Sequence, residues 1–254
     1  MLLDGDDLLK KSEREMQRIR GKRVAMILQD PMSSLNPVFS VGMQVREPLA
    51  NYHRFSGRAL TDRAVELLAS VGISSPAARL RAFPHQLSGG MRQRVVGAMA
   101  ISAPPRLLIA DEPTTSLDLT IQAQYLRLLE ELQARHRFAM IFVTHNLGIV
   151  AKMCDRVAVM YAGRIVEAGP VETILCAPRH PYTRALLESV PRLGDSTEWL
   201  AAIEGQPPDL AALPRGCAFA ARCPRVMDRC RVEEPPELAV TPGHTTRCWL
   251  HAPA

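Results

Sequence analysis

Two adjacent acids, Asp111 and Glu112, follow the apolar run Leu107-Leu108-Ile109-Ala110. Ligands of open α/β sheets bind at the carboxyl ends of the strands, and two neighbouring carboxylates are too costly to bury for packing alone. One can hold Mg²⁺ while the other orients and deprotonates a water. The bland alternative is an exposed turn at a strand end. A second motif precedes the acids: Leu87-Ser88-Gly89-Gly90-Met91-Arg92-Gln93. Two glycines let backbone N–H groups approach a phosphate, Ser88 adds a hydroxyl, and a helix starting here turns its positive end toward the anion. Gln93 closes this run and is counted with the nucleotide-binding set. Downstream lie Ser116-Leu117-Asp118 and His145; upstream, Gln29. His145 alone reads as a structural histidine. With the other motifs present, Gln29 and His145 become candidate sensors of a phosphate and its attacking water.

These residues need elements to hold them. Arg23–Leu28 is predicted as a short buried strand ending before Gln29-Asp30-Pro31. Prolines 31, 37 and 48 mark an irregular stretch. Thr61 is expected to cap a helix with Ala64, Leu67, Leu68 and Val71 on one face, closed by Gly72. Ser88 occupies an N-cap position for a helix stopped by Pro104-Pro105. Leu107–Ala110 reads as a parallel strand covered on both faces. Ile121, Tyr125, Leu128, Leu129 and Leu132 stripe the next helix. Ala139–Val143 reads as a second buried strand, placing His145 at its carboxyl end, and Asn146 can cap a helix running to Met153. Val157–Tyr161 and Arg164–Glu167 form a hairpin across Ala162-Gly163. Alternating strands and helices predict an α/β fold with a mostly parallel sheet. After Gly169 proline becomes frequent and cysteine accumulates, so a boundary is expected near residue 170, with domains at 1–170 and 171–254.

The 254 residues are 47% hydrophobic, enough for a sizeable core. No apolar run approaches the length of a membrane span, and no secretory leader follows Met1. Net charge is +5, with basic stretches at 10–23 and 215–231. Aromatics are only 5% and do not interleave with the basic residues, which argues for solvated basic faces, near an anionic inner leaflet, over nucleic acid. Four of six cysteines form Cys217-x₅-Cys223-x₆-Cys230-x₁₇-Cys248. No Cys-x₂₋₄-Cys pair favours zinc, disulfides do not suit a cytoplasmic protein, and the looser spacing suits an iron–sulfur cage. Cluster, zinc and plain reduced thiols all remain open on spacing alone. Arg215, Arg222, Arg225, Arg229 and Arg231 could offset cluster charge or simply face solvent.

Taken together, the motifs resemble the ATP-binding cassette (ABC) ATPases. Gln29-Asp30-Pro31-Met32-Ser33-Ser34-Leu35-Asn36-Pro37 and His180-Pro181-Tyr182-Thr183-Arg184-Ala185-Leu186-Leu187 are similar to the Q-loop and C-terminal extension of the bacterial oligopeptide/dipeptide permease branch. The likeness runs from Leu2 to Leu250. It implies an ABC cassette with a helical subdomain at about 30–104 and a small Cys-rich extension, ATP and Mg²⁺ as ligands, and a [4Fe–4S] cluster on the four cysteines. By the same resemblance, Gln29 couples the site to membrane subunits. Ser88, Gly89 and Gly90 contact the γ-phosphate of ATP held by an opposite cassette. Asp111 organises Mg²⁺, Glu112 is the general base, Asp118 lies between the two sites, and His145 is the switch histidine. The implied partners are a second cassette, two transmembrane permease subunits and, indirectly, an extracytoplasmic peptide-binding protein, with no nucleic acid. The implied location is the cytoplasmic face of the inner membrane.

One departure stands out. No Gly-x-x-x-x-Gly-Lys-Ser/Thr loop (Walker A) occurs; Gly21-Lys22 precedes Arg23 and lacks the upstream glycine. Leu2–Leu8 resembles a strand and turn that follow that loop in the family. The expectation is an N-terminally truncated parallel-sheet core, from a misassigned start or a shortened gene, with own-site hydrolysis lost and apolar faces left open. A non-transport ABC ATPase of the nucleic-acid repair type and a non-functional cassette fragment are the alternatives.

Overall fold

The computed structural model describes residues 1–53, 55–191 and 202–252. Residues 192–201 and 253–254 of the expected extension lie outside them. The chain divides into two compact units, 1–145 and 146–254.

In the first unit, β1 (Leu2–Leu3) and β2 (Asp6–Asp7) pair antiparallel across Asp4-Gly5, whose φ angles of 51° and 84° make the tight turn. Arg23 reaches Asp6 at 2.7 Å and Asp4 at 3.3 Å, tying this hairpin to the central sheet. Helix α1 (Glu13–Ile19) starts in a reciprocal Ser12–Glu15 capping box. The sheet is three parallel strands in the order β3 (Val24–Ile27), β4 (Leu107–Asp111), β5 (Ala139–Val143). Val24 pairs with Leu107 and Leu107 with Ala139, so Ala25, Leu108, Ile27 and Ala110 share one face and are buried. The opposite face is open: Met26, Ile141 and Val143 are 45%, 47% and 47% exposed. The expectation that β5 is a buried strand therefore fails. It is an edge strand, and its apolar run alternates between a covered and an open face.

Between β3 and β4 the chain builds helices α2 (Pro31–Ser34), α3 (Val41–His53), α4 (Gly57–Ser70), α5 (Pro76–Arg79) and α6 (Gly89–Ala100). The stretch read as irregular contains α3, with Pro48 inside it. The Val41 and Gly42 N–H groups at its start are satisfied by the carbonyls of Ala82 and Leu80. Tertiary support thus outweighs the bond that Pro48 removes. Thr61 lies inside α4 rather than capping it; Ser56 precedes the first residue. Ala64, Leu67 and Leu68 do form its buried face, as the spacing predicts. Helix α7 (Leu119–His136) buries Tyr125, Leu128, Leu129 and Leu132 on the predicted stripe.

The second unit opens with α8 (Leu147–Met153), capped by Asn146 as expected. Strands β6 (Arg156–Tyr161) and β7 (Arg164–Pro170) form the predicted hairpin, turning on Ala162 and Gly163 at φ 48° and 77°. After α9 (Val171–Cys176), α10 (Pro181–Glu188) and α11 (Asp228–Val232), the chain returns as β8 (Leu238–Thr241) and β9 (His244–Thr246). The sheet order is β6-β7-β9-β8. Glu167 of β7 pairs with Thr246 of β9, which is why the hairpin belongs with the extension.

The His-Pro-Tyr-Thr segment has a structural explanation in this sheet. His180 is the N-cap of α10: its Nδ1 accepts from the Tyr182 N–H at 3.1 Å, and Pro181 fills the first helical position. Burial pushes the imidazole down to about 4, leaving it neutral. The buried Glu167 carboxylate receives the backbone N–H groups of Arg179 (2.6 Å) and His180 (3.0 Å), with His244 Nε2 at 2.8 Å. Tyr182 packs with Tyr161 and Phe219, ring centroids 4.6 and 5.5 Å away.

Candidate nucleotide site

The sheet delivers three of the predicted residues to one point. Gln29 follows β3, Glu112 follows β4 and His145 follows β5 by two residues. Glu112 is the hub. Its Oε1 lies 2.8 Å from His145 Nδ1, and its Oε2 accepts from Gln29 Nε2 at 3.0 Å. A fourth residue, absent from the sequence-predicted set, completes the group: Thr115 Oγ1 donates to Oε2 at 2.8 Å. The bond from His145, then that from Thr115, hold the Glu112 carboxyl below the usual carboxylate range, so it is ionised at neutral pH. His145 is largely exposed and Glu112 partly buried.

The backbone at Glu112 is unusual. Its φ is +40°, a left-handed conformation without glycine's freedom. Two bonds enforce it: Glu112 N–H to the Val143 carbonyl at 2.9 Å, which extends the β4–β5 ladder, and Thr115 N–H to the Glu112 carbonyl at 3.3 Å. Such conformations persist where the surroundings over-determine them and concentrate at functional sites. Asp111, the expected Mg²⁺ ligand, sits one residue earlier at the strand end, and among the described residues its carboxylate takes no hydrogen bond. That suits a Mg²⁺ held through one carboxylate with water and phosphate oxygens.

Ser88, Gly89 and Gly90 occupy the N-terminus of α6, and no hydrogen bond among the described residues joins them to the Glu112 group. Ser88 is the N-cap, its Oγ accepting from the Met91 N–H at 3.3 Å, and it is exposed. The two glycines differ. A Cβ on Gly90 would lie 2.6 Å from Ile121 Cγ2, whereas one on Gly89 would meet nothing within 4 Å. Gly90 therefore lets α6 pack on α7, and Gly89 keeps the outer surface bare. Gly89→Ala is accordingly expected to leave the thermal melt unchanged while lowering ATP turnover at least tenfold by blocking close approach of a phosphate. A melt that falls with the rate would show that the glycine serves folding instead.

Asp118 caps α7, its Oδ1 accepting from Thr120 N–H (3.1 Å) and Ile121 N–H (3.0 Å). Gln93 is 1% exposed inside α6, and neither amide atom has a partner among the described residues, so it lies behind the phosphate-facing surface rather than on it. Asp30 caps α2, and Arg92 of α6 reaches Met32 Sδ of α2 at 2.9 Å, joining the segment after Gln29 to the Ser-Gly-Gly helix.

In the second unit, Cys217, Cys223, Cys230 and Cys248 all line one cavity with Phe219, Ala220, Trp249 and Leu250. The Cys217 N–H donates to the Cys230 carbonyl at 2.8 Å. Burial raises the Cys217 and Cys223 thiols and pushes Cys248 up to about 11, with the neighbouring thiols adding to the effect. Among the described residues, no group of three or more His, Cys, Asp or Glu side chains is placed to hold a metal ion. Two of the five arginines have side-chain partners among the described residues. Arg222 binds the carbonyls of Ile203 and Glu204 and the Tyr161 hydroxyl, and Arg229 stacks 3.4 Å over Trp249.

A parallel sheet whose strand ends gather an acid pair, a glutamine and a histidine, with a Ser-Gly-Gly helix between its first two strands, defines an ATP-binding cassette ATPase. Residues 1–115 match the ABC transporter family, and residues 166–230 match the oligopeptide/dipeptide transporter C-terminal region. The chain belongs to the ATP-binding subunits of oligopeptide/dipeptide ABC transporters. It is 54% identical to the oligopeptide transport ATP-binding protein OppD of Bacillus subtilis (strain 168), over all of this chain and 71% of that protein. It is 48% identical to the dipeptide transport ATP-binding protein DppD of Escherichia coli (strain K12), over 96% of this chain and 75% of that one. Among solved structures, the dimeric cassette MJ0796 bound to ADP and Pi aligns with TM-score 0.59 and 25% identity, over 66% of this chain and 72% of that chain. Among the described residues, no helix is long and apolar enough to cross a membrane.

Proposed function

We propose that this chain is an ATP-handling subunit that energises import of oligopeptides or dipeptides from the cytoplasmic face of the inner membrane. The observation that carries the reading is the Gln29–Glu112–His145 convergence at the ends of three parallel strands. Glu112, ionised and aimed by its donors, takes the proton of the attacking water. Asp111 would hold Mg²⁺ beside it. Gln29 and His145 report the terminal phosphate to the rest of the site. The exposed N-terminus of α6 at Ser88–Gly90 would bind phosphate oxygens of an ATP held by a second cassette, so a pair of cassettes completes each site. The phosphate loop is not among these 254 residues.

Membrane subunits are supported by the segment directly after Gln29, where Met32, Val38, Phe39 and Met43 are 44–75% exposed. A run of exposed large apolar residues marks a contact surface. For residues 171–254 the proposed group is a [4Fe–4S] cluster on Cys217, Cys223, Cys230 and Cys248, supported by their lining one cavity. Such a cluster would supply cross-linking of the extension.

The test is ATP turnover by the assembled transporter in membranes, with and without peptides. Stimulation by oligopeptide or dipeptide, together with ATP-driven peptide accumulation, is expected. Turnover raised by DNA and indifferent to peptide would overturn the reading in favour of a repair-type ATPase.

A further inference from the structure

The three partners of Glu112 do not stand on the same footing. Gln29 and His145 come from the ends of different strands, β3 and β5. Thr115 sits on the same tight turn as Glu112 and bonds it twice: backbone N–H to the Glu112 carbonyl at 3.3 Å, and hydroxyl to Oε2 at 2.8 Å. Its neighbour Thr114 cannot substitute, because that side chain is 4% exposed and its hydroxyl already accepts from Gln122 Nε2 at 2.9 Å. The geometry points to Thr115 as the positioning residue that keeps the Glu112 carboxylate aimed when Gln29 and His145 turn to a bound phosphate. With Oε2 held by Thr115, Oε1 is the oxygen released to accept the water's proton. The hydroxyl also braces the left-handed backbone at Glu112, so side chain and turn are fixed by one residue. Thr115 acts through Glu112. The inference rests on the reading of Glu112 as the general base.

The assembled transporter tests it by steady-state hydrolysis of Mg-ATP. Thr115→Val keeps the shape and removes the hydroxyl, and should lower kcat about tenfold through a less well-aimed base, with KM within twofold of the parent. Thr115→Ala, which removes the hydroxyl with a different shape, should fall equally. Thr115→Ser restores the donor and should return to within twofold. Val and Ala variants at the parental rate would overturn the proposal, as would a Ser variant as slow as Val, or a change in KM alone. Glu112→Gln measured alongside separates the two levels. If it stays within tenfold of the parent, the assignment of the base fails; if it falls about a thousandfold while Thr115→Val is unaffected, only the role of Thr115 fails.

Discussion

Glu112→Gln should reduce ATP turnover in the assembled transporter by about a thousandfold, within the range for removing a positioned general base. Nucleotide binding should change less than twofold. The substitution is a clean one in this site. A glutamine can turn its amide oxygen toward the Gln29 and Thr115 donors, now 3.0 and 2.8 Å from Oε2, and its NH₂ toward His145 Nδ1. The bond pattern and the left-handed turn survive, and only the proton acceptor is lost. A rate within tenfold of the parent would show that another group, or water alone, accepts the proton. Gln29→Ala and His145→Ala remove one donor each and leave the carboxylate in place, so both should be milder.

The second large effect falls in the extension. A Cβ on Gly216 would lie 2.6 Å from the Arg231 carbonyl carbon and 2.8 Å from its oxygen, and would also collide with the Cys230 carbonyl oxygen. These are backbone atoms and cannot rotate away. The same carbonyl of Cys230 receives the Cys217 N–H at 2.8 Å. Gly216→Ala must therefore push apart the two segments that seat Cys217 and Cys230. Overpacking together with the strained hydrogen bond should cost about 3 kcal/mol. For a unit of this size, that lowers the melting transition by roughly 10–20 °C. Hydrogen exchange at the Cys217 amide should accelerate in step, and iron content should fall if a cluster is bound. An unchanged melt with a protected Cys217 amide would show that the loop accommodates the methyl.

Much of the nucleotide site is legible because its residues are punctuation. Apolar runs that stop at Asp111, and at Thr144-His145, mark strand ends, and strand ends converge in a parallel sheet. The stripe on α7 is legible for the same kind of reason: Tyr125, Leu128, Leu129 and Leu132 repeat at the helical period and are all buried. Thr115 was not legible. A hydroxyl three residues after an acid is common in turns, and only the +40° backbone at Glu112 aims the carboxylate back at it. The openness of β5 was hidden too, because an edge strand with one bare face and a fully covered strand share the same apolar composition. Glu167 illustrates a longer-range limit: nothing local to its strand marks it as the buried acceptor that holds Arg179, His180 and His244 together. The pairing of β7 with β9, which places the hairpin in the second compact unit, is equally hidden, since strand pairing across many residues leaves no local signature.

That pairing has a consequence for synthesis. Glu167 and its partner His244 are 77 residues apart in the chain. At ordinary elongation rates of about 5–20 residues per second, the ribosome needs roughly 4–15 seconds to make the second after the first. For most of that interval the β7 edge that β9 will pair lacks its partner, and the Glu167 carboxylate lacks a histidine that has not yet been translated. A message cut short before codon 246 would leave that edge open permanently, ready to pair with another chain.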